Sequence, residues 1–324
     1  MANPQHSTAD RYRRFAIQEA RGNSSCYEQW SMGIADDERL IKLIDQLPVP
    51  KRQPNLVLGA ARFVGAEAGP FEAFQSWLSQ NWAAVRQVAT TRSTQTNEVG
   101  RCAILLPALA GLAGPLALIE VGASAGLCLY PDRFSYEYKS TTASTLVRGE
   151  SAVVLSCEAS GPVPVPAHVP KIVWRAGIDL NPVAVESDDD IRWLRTLIWP
   201  EHDHRRERFD AAVEIARIEP PYLVRGDLNE EIGSLVAQAP AGATVVVFHS
   251  AVLAYVARED RVRFAETMKV LPVHWISNES LGASPDFETQ LPRPIWNGAQ
   301  TVLTLDRVPI AFAAPHGQSL QWFS

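Results

Sequence analysis

Cysteine is scarce. The four cysteines in 324 residues, Cys26, Cys102, Cys128 and Cys157, form no Cys-x-x-Cys pair. They are too few and too scattered for a disulfide framework or a structural zinc site. Such usage suits a reducing compartment, and the cytoplasm is the expected location. Positive charge is also in deficit: 30 Lys and Arg stand against 36 Asp and Glu, a net charge of -6. Without a basic excess the chain has no broad field for a phosphate backbone, so nucleic acid is not an expected partner. Uninterrupted apolar runs of membrane length are missing as well. Cys102 to Ile119 comes nearest, but Pro107, Gly111, Gly114 and Pro115 interrupt it and Glu120 closes it. It reads as a buried helix, a Gly-Pro turn and a buried strand, so no membrane partner is expected. The polar stretch from Met1 to Arg14 lacks the apolar centre of a secretory signal. What is present is globular: 46% hydrophobic and 20% charged residues exclude disorder and coiled coil as the main state.

Residues 1–92 read as a helical region. Asp36-Asp37 precede Leu40, Ile41, Leu43, Ile44 and Leu47, an acidic start and an apolar face that Pro48 ends. Pro70 opens a segment whose Phe71, Phe74, Trp77, Leu78, Trp82 and Val85 recur at helical spacing, a stripe for core packing. From Leu116 onward, short apolar runs alternate with helical stretches. Strands are expected at Leu116–Val121, Lys171–Ile178, Tyr222–Arg225, Thr244–Phe248, Pro272–Ser277, Thr301–Leu305 and Ile310–Ala314. Helices are expected at Asp188–Trp199, Pro200–Ile218, Leu228–Gln238 and Arg258–Leu271. The alternation implies a parallel sheet with helices on both faces. The short gap between the last two strands implies an antiparallel hairpin. The fold class expected for 93–324 is therefore α/β, a doubly wound Rossmann-like sheet of seven strands. Ser135 to Ala159 departs from the alternation and suggests a β-hairpin, followed by a stiff connector with Pro162, Pro164, Pro166 and Pro170. Residues from about 135 to 170 are read as an insertion on the main fold.

The most informative residues are Glu120-Val121-Gly122-Ala123-Ser124-Ala125-Gly126, directly after an apolar strand. A strand that turns sharply into a helix needs small residues so that backbone can approach a ligand. Glu120, Gly122 and Gly126 resemble the acid-x-Gly-x-x-x-Gly loop of class I S-adenosylmethionine-dependent methyltransferases, with Ser124 at the middle position. The same stretch is also a literal Gly-x-Ser-x-Gly, a nucleophile elbow in which Ser124 attacks with Asp227 or Asp286 and His316 as partners. A helical upstream region weighs against the elbow, which sits on a sheet with several strands before it. A structural turn without a ligand is the third reading.

Further candidates lie at the ends of later strands. Asp179 is placed to accept from ribose hydroxyls, with Glu137, nearer the ordinary spacing, as its rival and an Asx turn before Asn181-Pro182 as the plain alternative. Asp227 either accepts from an adenine amino group, as carboxylates at that place do in such folds, or caps the next helix. His249 ends the fourth strand and is either a general base or a hydrogen-bonded core histidine. Glu279 is the second choice for that proton, and Tyr255 lies close enough in sequence to face a substrate. Glu201-His202-Asp203-His204 carries metal-binding residue types, but Arg205, Arg206 and Arg208 come at once after it, and it reads as a solvated helix face.

Several segments together resemble an uncharacterised bacterial family, a domain of unknown function treated as methyltransferase-like. They are Thr94–Arg101, Glu120–Gly126, Asp132–Phe134, Arg175–Asp179, Trp199-Pro200, His249-Ser250 with Tyr255, Asn278-Glu279 and Pro315–Gly317. The resemblance implies S-adenosylmethionine as cofactor and, with the acidic charge, a small-molecule acceptor. In methyltransferases the segment before the first strand often lies over the cofactor, which makes Gln95, Asn97, Glu98 and Arg101 lid or substrate residues. Their plain alternative is a helix cap built on Asn97 and Glu98.

Overall fold

The computed structural model describes residues 7–283, 291 and 300–323. The first elements are α1 (Thr8–Phe15), α2 (Ser25–Asp36), α3 (Glu38–Ile44), α4 (Pro54–Val64), α5 (Phe71–Thr91), α6 (Cys102–Ala110) and β1 (Leu116–Val121). Next come β2 (Ser135–Lys139), β3 (Ser144–Val147), β4 (Val154–Ser160) and β5 (Ile172–Asp179), then α7 (Asp188–Thr196), α8 (Asp203–Ile218) and β6 (Tyr222–Arg225). The remainder is α9 (Leu228–Ala237), β7 (Thr244–Ser250), α10 (Arg258–Val270), β8 (His274–Ser280), β9 (Thr301–Leu305), β10 (Val308–Ala313) and β11 (Ser319–Trp322).

The chain forms two compact units. One holds the described residues through Thr96 together with Glu186–Asp210; the other holds Asn97–Val185 and the described residues from Ala211 onward. In the helical unit, Asp37 accepts from the N–H groups of Arg39 and Leu40 and so starts α3. Phe74, Leu78, Trp82 and Val85 line the buried side of α5, and the Phe74 ring stacks on Trp30 at 3.7 Å. Of the expected stripe, Phe74, Leu78, Trp82 and Val85 are core, while Phe71 and Trp77 are half-buried.

In the second unit all strands join one sheet of eleven, ordered β3-β2-β4-β11-β10-β9-β8-β7-β1-β5-β6. This corrects the expected seven. The extra strands have two sources: the insertion contributes β2, β3 and β4, and the C-terminal segment forms β11. β11 pairs antiparallel with β10 and parallel with β4, which welds the insertion to the main sheet. β1 lies between β5 and β7, parallel to both. All six of its residues are buried, which is why it is a continuous apolar run rather than an alternating one. The C-terminal hairpin, β9 with β10, turns through Asp306 and Arg307, both at positive φ.

The run from Cys102 to Ile119 divides into α6 and the start of β1, and no helix of the described residues is long and apolar enough to cross a membrane. After β1 the expected helix is absent. Only a single 3-10 turn, Leu127–Leu129, succeeds the glycine loop before the chain reaches Pro131 and the β2–β4 insertion. Leu127 to Tyr130 are all buried, and four residues before a proline cannot propagate an α-helix.

Strand order positions the site. From β1 the chain builds β5 and β6 outward on one side, then crosses to β7 and β8 on the other. The carboxyl ends of strands flanking such a reversal are where ligands of open α/β sheets bind.

Candidate functional site

Side chains alternate across a strand, and residues in register share a face. Glu120 therefore shares a face with Gly177 and Phe248, while Val121 shares the opposite face with Ile178 and His249. The candidates consequently separate into two clusters on opposite sides of the sheet.

The first cluster is built around the glycine loop. Gly122, Ser124 and Gly126 all have positive φ, at 71°, 51° and 68°. Glycine adopts that conformation freely, but Ser124 needs something to hold it there. Two side chains do so. Asp179 Oδ2 accepts from Ser124 N–H at 2.8 Å, while Asp179 Oδ1 accepts from Asn181 N–H at 2.7 Å. Asn97 Oδ1 accepts from Ala125 N–H at 3.1 Å and Asn97 Nδ2 donates to Ser124 Oγ at 2.8 Å. Gly122 and Ala123 donate to the Ile178 carbonyl, and Gly126 to that of Ala123. Every loop N–H from Gly122 to Gly126 thus has an internal acceptor, so the loop is closed on itself rather than open as an anion cradle.

Beneath this loop, Glu120 is 8% exposed and its Oε2 has no hydrogen-bond partner. Burial pushes its carboxyl well above 4.5; the neighbouring Cys128 thiol adds to the rise and the Arg101 guanidinium opposes it. Arg101 is also 8% exposed, donating from Nε to Pro315 O at 3.0 Å and from Nη1 to Ser250 O at 2.9 Å. Glu98 accepts from Gly100 N–H at 3.0 Å, and its other oxygen stands 3.9 Å from His316 Nδ1. Gly100 and Gly317 meet backbone to backbone, and a Cβ at Gly317 (φ 80°) would overlap the Gly100 carbonyl. Asn97 to Arg101, the glycine loop, the end of β7 and the Pro315–Gly317 turn are thereby tied into one assembly.

The second cluster lies on the opposite face. His249 is fully buried; its Nδ1 is 2.7 Å from Glu279 Oε1, and its Nε2 accepts from Trp275 Nε1–H at 3.0 Å. An indole is a donor only, so Nε2 carries the lone pair and Nδ1 the proton. That lone pair is occupied, which leaves His249 nothing with which to take a substrate proton. Glu279 Oε1 also accepts from Val252 and Leu253 N–H at 2.9 and 3.2 Å. Burial pushes the Glu279 carboxyl up, but the bonds from His249 and those two amides outweigh it and hold it below 4.5. Together, His249 and Glu279 anchor the turn after β7.

The remaining candidates are more dispersed. Asp227 caps α9 by accepting from Asn229 N–H at 2.8 Å. Tyr255 projects from that turn and is 90% exposed. Gln95 falls in the helical unit. Glu137, the rival ribose acid, sits on β2, far along the sheet from β1, bonded to Ser144 and Ser156. Asp286 lies outside the described residues. Glu201 accepts from Cys26 N–H, and His202 Nε2 meets the Asn23 carbonyl. Sequence reasoning does not single out Ser250 and Asn278 individually, yet Asn278 Nδ2 donates to Ser250 Oγ at 2.5 Å, and both are buried at the carboxyl edge. Their signal was available: polar residues ending two apolar strand runs.

The fold and cluster define a mixed α/β protein with a buried polar site at the carboxyl edge of its central parallel strands. Residues 9–322 match the family described as an uncharacterized protein conserved in bacteria (DUF2332), and the chain belongs to it. No curated protein and no solved structure matches the chain.

Proposed function

We propose that the carboxyl edge of β1, β5, β6 and β7 binds S-adenosylmethionine and that the protein transfers its methyl group to a small-molecule acceptor. The observation that carries this reading is Glu120, a buried carboxyl without a partner on Oε2, beneath a glycine turn at the strand-order reversal. A buried acid in that state is stabilised by a cationic or donor group, which the ligand's α-amino group supplies. Asp179 has spent one lone pair per oxygen, on the N–H groups of Ser124 and Asn181, so each oxygen retains capacity for a ribose hydroxyl. Asp227 similarly keeps acceptor capacity beyond its cap for an adenine amino group. Because the loop amides are bonded inward, side chains rather than backbone N–H groups receive the ligand.

The sulfonium supplies an activated leaving group, so the residues here have chiefly to position and to exclude water. His249 and Glu279 serve by holding the turn that carries Tyr255; as the methyl–sulfur bond breaks and S-adenosylhomocysteine leaves, the proton of a hydroxyl or amine acceptor passes to solvent. Calorimetric titration with S-adenosylmethionine and S-adenosylhomocysteine tests the reading. Saturable binding, weakened about tenfold or more (1.4 kcal/mol) in Glu120→Gln, is the expected result. Absence of binding at millimolar ligand would remove it.

One observation favours a second reading, a serine hydrolase. Ser124 holds positive φ on a strand-end turn, as an elbow nucleophile does. Its hydroxyl, however, faces the Asn97 amide rather than an imidazole. Labelling of the protein by a fluorophosphonate, abolished in Ser124→Ala, would establish the hydrolase instead.

A further inference from the structure

Two buried arginines in the sheet unit differ in one respect. Arg175 has a carboxylate counter-ion: its Nη1 and Nη2 grip the two oxygens of Asp132 at 2.9 and 2.7 Å, its Nη1 also reaches Leu129 O, and the guanidinium lies 4.7 Å from the Tyr130 ring centroid. Arg101 has none. Its two hydrogen bonds end on backbone carbonyls, and no carboxylate among the described residues forms an ion pair with it. Two acids stand nearby. Glu98 is engaged with Gly100 N–H and approaches His316, and burial pushes Glu120 toward its neutral form. A guanidinium 8% exposed and without an ion pair carries a large desolvation cost that an anion would offset. The carbonyls of Ser250 and Pro315 fix its orientation while leaving the rest of its donors without a protein acceptor among the described residues.

A second orphan shares Ser250 with it. Asn278 is fully buried and its Oδ1 has no partner, while its Nδ2 donates to Ser250, the residue whose carbonyl receives Arg101. An unfilled cationic donor and an unfilled neutral acceptor therefore meet at one residue. Their joint complement is an anion with a hydrogen-bond donor next to it.

We propose that Arg101 and Asn278 form the binding site for a small carboxylic acid bearing a hydroxyl or amino group beside its carboxylate, with the carboxylate on Arg101 and the donor on Asn278 Oδ1. In the methyl-transfer reading, on which this assignment of substrate class rests, that acid is the acceptor. The planar carboxylate suits the donors that remain on one guanidinium. A phosphate fits less well, because its extra charge would face the Asn278 oxygen.

The test uses the full chain and glycolate as probe, with acetate, inorganic phosphate and chloride at matched ionic strength. Glycolate is expected to bind saturably, acetate several-fold more weakly, and phosphate and chloride without saturation. Arg101→Lys should weaken glycolate at least tenfold, and Asn278→Ala should erase its advantage over acetate. Should Arg101→Lys fail to fold, the arginine side-chain nitrogen spectrum of the unaltered protein still decides: one guanidinium should shift saturably with glycolate. Equal response to phosphate, glycolate binding unchanged in Arg101→Lys, or acetate binding as tightly as glycolate would each overturn the proposal. The two readings fail separately. Loss of S-adenosylhomocysteine binding in Arg101→Lys with 5′-methylthioadenosine unaffected would assign the carboxylate to the cofactor and overturn the acceptor site. Glycolate binding without any binding of S-adenosylhomocysteine would sustain the acid site and remove the methyl-transfer reading.

Discussion

Asn97 is small, but it completes the glycine loop. It supplies the acceptor for Ala125 N–H and the donor for Ser124 Oγ, and Ala125 is fully buried. Replacing it with alanine leaves a buried N–H unpaired, for which about 2 kcal/mol of stability is expected to be lost in urea denaturation. A loss under about 0.5 kcal/mol would show that water takes its place. The sequence marked Asn97 as a lid, substrate or capping residue but not its partners, because Ser124 and Ala125 are distant in sequence. Glu120 gives a prediction of the opposite sign. Its folded value is raised above 4.5, so the unfolded chain ionises first as pH rises. The ligand-free protein therefore loses stability from about pH 4.5 up to the raised value, and Glu120→Gln, which cannot ionise, removes that loss. Thermal melts of both proteins across pH 4–8 measure it: the variant should gain on the parent as pH rises. A pH-independent difference would mean that Glu120 is not ionisation-coupled to folding.

At the scale of elements, the turn from Ser250 to Tyr255 depends on a residue from the neighbouring strand. Ala251 sits at φ 56°, a strained value for a residue with a Cβ. One oxygen of Glu279 receives two amides of that turn and the His249 ring. Here the folded value is depressed below 4.5, so the stabilisation is present above the unfolded value and lost as pH falls through the folded one. Acid titration monitored by Trp275 fluorescence should show this limb in the parent and not in Glu279→Gln. Persistence of the limb in the variant would place its origin in another carboxylate. The strand ends that carry this cluster were legible because apolar runs stop abruptly at His249 and Asn278. The tautomer and occupancy of His249 were not, since they depend on Trp275, a residue that looks like ordinary core in the sequence. The missing helix after Gly126 belongs to the same class: small residues announce a sharp turn but do not encode the element beyond it.

At the scale of the whole sheet, the seven strands from β10 to β6 in the strand order were legible, and of the four from β3 to β11 only the hairpin in the insertion was. A strand, a helix and a parallel strand in succession announce their own pairing, because the crossover brings neighbours together locally. β4 and β11 have no such link. They pair in parallel through Ser319↔Glu158 and Gln321↔Ser160, contacts no local pattern encodes. Yet β11 is what joins the insertion to the main sheet, since in the strand order β4 has only β2 on its other side. Buried Leu320 and the bond from Glu158 N–H to Gln318 O reinforce the joint. A chain ending at Gly317 keeps β1, β5, β7 and β8 with their partners but exposes an open edge on both β4 and β10. Hydrogen exchange should then accelerate at least tenfold at β4 amides, about 1.4 kcal/mol of lost protection, while β1 and β7 amides remain as slow as in the full chain. β2 should lose less than β4, because Tyr138 Oη still donates to Ala103 O on α6 and Tyr136 Oη to Pro131 O. Uniform acceleration across all strands would mean that the sheet opens as a single cooperative unit, and unchanged β4 protection would mean that α6 and β2 alone hold the insertion in place.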